Sequence, residues 1–179
     1  MRLAYLFLPF LPLLSLPAEP LPALAFPIGV TRDDKPIQGW FAPASFDVSA
    51  PQKHVLVVAG LSPDDKRPQA YAQELLRAHF VSTKSKPFTL SAILDANPDD
   101  VPTPAFPPAG KAYNDPKHPH ALYLRRFLGA HGPDLVVDLR RGPAFTLRQT
   151  DDLGSGPGPD GPARIGFVPT LRVTTGDLA

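Results

Sequence analysis

The chain has 179 residues, 43% hydrophobic and 20% charged, with a formal net charge of +1. That length suits one domain with a true apolar core, and the near-neutral charge without a long basic run removes the electrostatic footprint of a nucleic-acid binder. There is no cysteine, which excludes disulfides, thiolate catalysis and cysteine-type zinc sites, while 25 prolines, each lacking an N–H and fixing φ, predict long extended connections.

Residues 1–25 read as a secretory signal peptide. Arg2 is a short positive start, Leu3 to Leu16 (LAYLFLPFLPLLSL) is apolar and uncharged, and Ala23-Leu24-Ala25 offers a small-residue cleavage site. A cut after Ala18 also fits. The apolar run is short for a bilayer, and Pro9 and Pro12 interrupt it. An uncleaved anchor is the alternative and would be the only membrane contact expected. The chain is thus expected to be exported, periplasmic or secreted, and the missing cysteine excludes a lipid-modified form.

Residues 26–150 read as one α/β domain. Between Phe26 and Trp40 two short β-like runs flank Asp33-Asp34, which predicts a hairpin. Residues 41–53 are a polar, proline-bearing connection. His54 to Ala59 (HVLVVA) is a β-branched apolar run stopped by Gly60, a buried central strand. A helix follows over Pro68 to Phe80, with Pro68 suited to its first position. Its apolar face is read as Tyr71, Ala72, Leu75, Leu76 and Ala78. Phe88 to Leu94 is a second strand. A Pro-rich loop runs from Asn97 to Pro116 and carries no sustained P-x-x-P register.

His120 to His131 is a second helix, with Leu122, Leu124, Phe127 and Leu128 facing inward and Gly132-Pro133 ending it. Asp134 to Leu139 (DLVVDL) is a third buried strand. Residues 151–179 are a Gly/Pro-rich loop (Gly154 to Gly161) and a last strand within Ile165 to Val173. The alternation of strands and helices implies a three-layer α/β fold, a mixed sheet with helices on its faces. Functional groups should gather at the carboxyl ends of its parallel strands: Gly60 to Asp65, Asp95 to Asp99, and Arg140 to Gly142.

Those three edges, in that order, resemble the zinc carboxypeptidase family of the M14 type over roughly residues 29–142. The resemblance aligns Gly29-Val-Thr-Arg with the family's first segment and Val57 to Asp65 with a strand ending in His-x-x-Glu. It aligns Asn97-Pro98-Asp99-Asp100 with an Asn-Pro-Asp-Gly turn, and Gly132 to Gly142 with a strand ending in a third histidine ligand. It implies a carboxypeptidase-like, incomplete fold and a zinc cofactor.

The residues depart from that pattern where zinc would bind. Ser62 stands for the first His, Asp65 for the Glu and Arg140 for the last His. A guanidinium has no lone pair to donate, and serine is a poor zinc ligand. The family's Asn-Arg element has no clear match in 101–116, and no glutamate follows Glu74. The expected cofactor is therefore none, with Ser62, Asp65 and Arg140 as the site equivalent to the zinc site and no catalytic residue assigned. Arg140 is expected to pair with Asp65 or Asp64 in place of a metal charge, with Asp64, Asn97 and Arg141 as further ligand contacts.

Simpler roles stand beside these. Ser62-Pro63-Asp64-Asp65 also has the form of a helix start with a serine cap, and Arg140-Arg141 fits solvated strand-end charge. His118-x-His120 could offer two imidazoles to a metal but reads as a solvated loop, and His54, His79 and His131 read as single surface or strand-end residues. A Ser62–His–Asp99 arrangement lacks a Gly-x-Ser-x-Gly elbow. Three functions follow: a non-catalytic exported domain binding peptide or acidic ligands, an active hydrolase with altered ligands, or an assembly partner with an exposed sheet edge. A truncated gene product is the further alternative.

Overall fold

In the computed structural model, residues 23–46, 51–82, 84–101, 116–150 and 170–176 are described. Seven strands form one sheet in the order β1-β2-β4-β3-β5-β7-β6. The strands are β1 (Leu24–Val30), β2 (Pro36–Phe41), β3 (Lys53–Val58), β4 (Phe88–Ile93), β5 (Leu135–Arg141), β6 (Thr146–Thr150) and β7 (Thr170–Thr175). Two helices, α1 (Lys66–Val81) and α2 (Pro119–His131), and a short 3-10 turn at Pro43–Phe46 complete the described elements. None of the described helices is long and apolar enough to cross a membrane. The expected signal segment lies almost wholly outside the described residues, as do positions 102–115 of the Pro-rich loop and the Gly154 to Gly161 run.

The strand types follow their burial. β4, β3, β5 and β7 run parallel, while β1, β2 and β6 attach antiparallel at the two sides. β2 alternates exposed and buried residues over its first four positions, as expected of a strand covered on one face. β4 is buried at every position after Phe88, as expected of one covered on both. Successive β3 residues point to opposite faces, so two cores form. Leu56 and Val58 join Leu124 and Leu128 of α2 on one face. Val57 and Ala59 join Ala72 and Leu76 of α1 on the other. The fold is the expected three-layer mixed sheet, and HVLVVA is its middle strand.

Several local expectations change. The Asp33-Asp34 hairpin forms between β1 and β2, but β1 starts at Leu24, inside the segment read as a signal peptide. α1 starts two residues before Pro68, whose missing N–H falls in the first turn, where donors have no helical partner anyway. Its buried face is Pro68, Ala72 and Leu76, while Tyr71 and Leu75 are 41% and 50% exposed. Ala78 is exposed as well. In α2 it is His120, Ala121, Leu124 and Leu128 that are buried, and Leu122 is half-buried. The last strand begins at Thr170, inside the range read from sequence, and slots between β5 and β6, a strand the sequence reading missed.

Gly60 lets β3 turn into the edge loop. Its φ is +68°, and a Cβ there would sit 2.8 Å from Asp95 Cα and 2.9 Å from Leu94 O. Both neighbours are backbone and cannot move aside. Gly60→Ala is expected to destabilise the fold by about 2 kcal/mol, read as a lower urea midpoint; an unchanged midpoint would contradict this packing.

Candidate functional site

The carboxyl ends of β3, β4 and β5 bring Ser62, Asp65, Arg140 and Arg141 together. After β3 the chain makes a turn in which the Asp65 N–H donates to Ser62 O at 2.9 Å. The Asp65 side chain folds back over this turn, so that Oδ2 accepts the Ser62 N–H at 3.0 Å. Oδ1 accepts the Arg141 N–H at 2.8 Å. Asp65 is only 2% exposed, and its carboxylate ties the β3 loop to the end of β5. The serine-cap reading is thus revised: Asp65, not Ser62, holds the N-cap position of α1, and it makes no side-chain cap bond.

Arg140 reaches Asp65 only at 3.9 Å. Its near partner is Asp138, with Nε donating to Oδ1 at 2.6 Å. Arg172 on the neighbouring strand donates Nε to the other oxygen of Asp138 at 2.8 Å. Asp138 has no exposed surface, so a fully buried carboxylate is held between two guanidinium groups, which is what offsets its loss of hydration. Sequence reading missed both Asp138 and Arg172. In the sequence Asp138 is one letter of an apolar strand, two residues before Arg140 on the same face. Arg172 arrives beside it only through the β5–β7 register, Asp138 to Arg172.

These residues do not make a zinc-ligand set. Both Asp65 oxygens already accept backbone N–H bonds, and a guanidinium stands where a donor would be needed. Among the described residues no group of three or more His, Asp or Glu is placed to hold a metal ion.

The remaining expected contacts separate. Asn97 is 1% exposed and donates its amide to Leu61 O at 3.3 Å and Val101 O at 2.7 Å, joining two edge loops. Asp100 follows in the same turn at φ +52°, the left-handed conformation that glycine favours. Asp64 and Arg141 line an open groove of about 310 Å³ with Pro63, Lys66 and Arg67. Three cationic side chains and one carboxylate line it. Beyond the groove, Lys66 Nζ reaches Asp100 at 3.2 Å. Asp95 at the end of β4 has its carboxyl pKa raised by burial, and its Oδ1 is buried without a hydrogen-bond partner.

His54 and His120 are buried, while His79, His118 and His131 are half-buried. His54 is 8% exposed and lies at the opposite, amino end of the sheet, where its Nε2 is 3.0 Å from Ser91 Oγ. Its ring meets that of His131 at 5.1 Å. His120 is 2% exposed, so His118-x-His120 is not a solvated loop. The Ser62–His–Asp99 arrangement is not formed: Asp99 accepts from Thr31 Oγ1 at 2.7 Å and from the Asp33 N–H at 3.3 Å. The serine that does touch a histidine, Ser91, has no exposed surface.

No family model matches the chain, and no curated protein sequence does. Solved structures do match in fold. A metallo-carboxypeptidase from Burkholderia cenocepacia superposes with a TM-score of 0.57 at 17% identity over 71% of this chain and 39% of its own. A protein from Shewanella denitrificans, provisionally assigned as a carboxypeptidase A, gives 0.55 at 17% identity, over 75% of this chain and 39% of its own. The likeness shows a carboxypeptidase-like fold, and the chain spans 39% of the length of each neighbour.

Proposed function

We propose that this chain is an exported, non-catalytic binding domain built on a carboxypeptidase-like fold, taking an acidic group, such as a peptide's terminal carboxylate, in the groove beside Arg141. The observation that carries this reading is the charge arrangement at the strand ends. Arg140 and Arg172 neutralise Asp138, and N–H groups satisfy Asp65, so neither of these two carboxylates is an open donor for a catalytic metal. Next to it, Lys66, Arg67 and Arg141 face a groove that holds one carboxylate of its own, Asp64. Guanidinium groups suit carboxylates because their paired N–H donors match the two oxygens. Ser62, Asp65 and Arg140 in this reading are the framework that replaces the zinc site.

Export rests on the N-terminal segment. Leu24 and Ala25 pair with Phe41 and Trp40, so a cut after Ala18 keeps β1 whole and is favoured over a cut after Ala25.

The test is fluorescence polarisation with labelled peptides at low salt. Peptides with a free C-terminal carboxylate are expected to bind, amidated ones to bind at least tenfold more weakly, and Arg141→Ala to abolish the difference. Equal binding of both forms would refute carboxylate capture, and release of the terminal residue with added zinc would refute the non-catalytic reading.

One observation favours a second reading as an assembly partner. β6 ends the sheet, Phe145 and Leu147 are 72% and 60% exposed, and an apolar cleft of about 420 Å³ opens beside them between Tyr71, Leu75, Leu139 and Val173. An unpaired strand edge with apolar flanks invites another chain.

A further inference from the structure

We propose that His118 and His120 together hold a late first-row transition-metal dication, at a site separate from the Asp65–Arg140 edge. Residues two apart on a helix do not normally face each other. Here His118 is the N-cap of α2, with φ −130° and ψ 56°, and that non-helical backbone turns its ring toward His120 in the first turn. The ring centroids lie 5.6 Å apart with planes at 86°.

Each ring keeps one buried nitrogen without a hydrogen-bond partner, Nδ1 of His118 and Nε2 of His120. A buried polar atom left unpaired costs about 1–3 kcal/mol, so two in adjacent rings ask for a shared partner. Capping does not supply it. The N-cap position favours Ser, Thr, Asp or Asn, whose oxygen accepts a helix N–H, whereas His118 makes no side-chain cap bond.

A metal fits the spacing. With metal–nitrogen bonds of about 2.0–2.1 Å, each ring centre lies roughly 3.2 Å from the ion. Two such rings at tetrahedral to trigonal angles have centroids about 5.2–5.6 Å apart. The positive end of the α2 dipole works against a cation here, and the nearby Asp99 carboxylate, which acts on His120 through space, opposes that effect. Among the described residues no third His, Asp or Glu joins the pair. An all-imidazole set selects ions such as Zn²⁺, Ni²⁺ and Cu²⁺ over Mg²⁺ or Ca²⁺.

Calorimetric titration of the untagged chain with Zn²⁺ tests this, beside long-range imidazole ¹⁵N spectra. The expected result is one ion per chain with a micromolar Kd. The His118 Nδ1 and His120 Nε2 resonances should shift, and affinity should fall at least tenfold in His118→Gln. His120→Gln should behave alike, provided circular dichroism shows it folded. The half-buried His118 variant keeps the test valid if the buried one does not fold. No binding, or binding unchanged in His118→Gln, would overturn the site. So would an ion lost on Asp65→Asn but retained in His118→Gln, which would also count against the metal-free strand edge. Peptide binding uses other residues, so the two tests fail independently.

Discussion

Asp138→Asn is expected to cost about 3 kcal/mol of folding stability, a melting temperature lower by roughly 10 °C for a domain of this size. The substitution keeps the shape and removes the charge, leaving Arg140 and Arg172 side by side around a neutral amide. Their exposures of 18% and 30% let water recover part of the loss, so the expected cost sits at the low end for a broken buried pair. Arg140→Ala should cost less, because Asp138 keeps Arg172 and Asp65 keeps both of its N–H donors. A double variant, Asp138→Asn with Arg172→Gln, should be milder than the sum of its parts. Thermal melts of the parent, the single variants Asp138→Asn, Arg140→Ala and Arg172→Gln, and the double variant decide it. If Asp138→Asn melts within about 2 °C of the parent, the network does not hold the sheet edge.

Acid should destabilise the fold well above the range where carboxylates titrate. Burial, with the neighbouring His131 adding to it and Asp134 opposing it, lowers the pKa of His54 from 6.5 to about 4. Burial also lowers that of His131. Both rings pack neutral, His131 against Phe127, Phe41 and Phe46. The other charges near the pair are Lys53 and Asp134, themselves bonded at 2.8 Å. A histidine with a depressed folded pKa binds fewer protons folded than unfolded between the two values. Stability is therefore fully present above pH 6.5 and is lost as pH falls toward 4. For His54 the loss is on the order of 3 kcal/mol. Urea unfolding from pH 7 to 4.5 should show it, and His54→Gln should flatten the slope whatever it does to stability at pH 7. Parallel pH profiles for parent and variant would rule out His54 as the cause.

Composition and periodicity carried the fold far. HVLVVA is the middle strand because a continuous β-branched run is what burial on both faces selects. Gly132 ends α2 in the left-handed conformation, at φ 54°, as a glycine after a last helical turn predicts. What escaped was whatever depends on a partner remote in sequence. β6 has no apolar run to announce it; it exists because β7 lies alongside, with pairs such as Leu147 to Val173. Tyr71 and Leu75 have helical spacing and still face outward, since the apolar surface beside them stays an open cleft. At the site, Asp65, Arg140 and Arg141 were legible as strand-end charges. Their partners were not, because Asp138 and Arg172 are 34 residues apart and only register joins them. The packing of His131 escaped for a related reason: a polar letter gives no sign that rings from β2, the 3-10 turn and β3 will meet it.

The strand order also sets a timetable for folding. β6 is made before β7, yet among the described strands its neighbour is β7, which also separates it from β5. As the chain emerges residue by residue, β6 precedes the strand it pairs with, and the long side of β5 stays open until β7 threads between them. Pairing partners that arrive late and from far along the chain slow the search for the native state and leave unpaired edges open to other chains meanwhile. Insertion of β7 therefore completes the pairing of two strands, and it brings Arg172 to Asp138 in the same event.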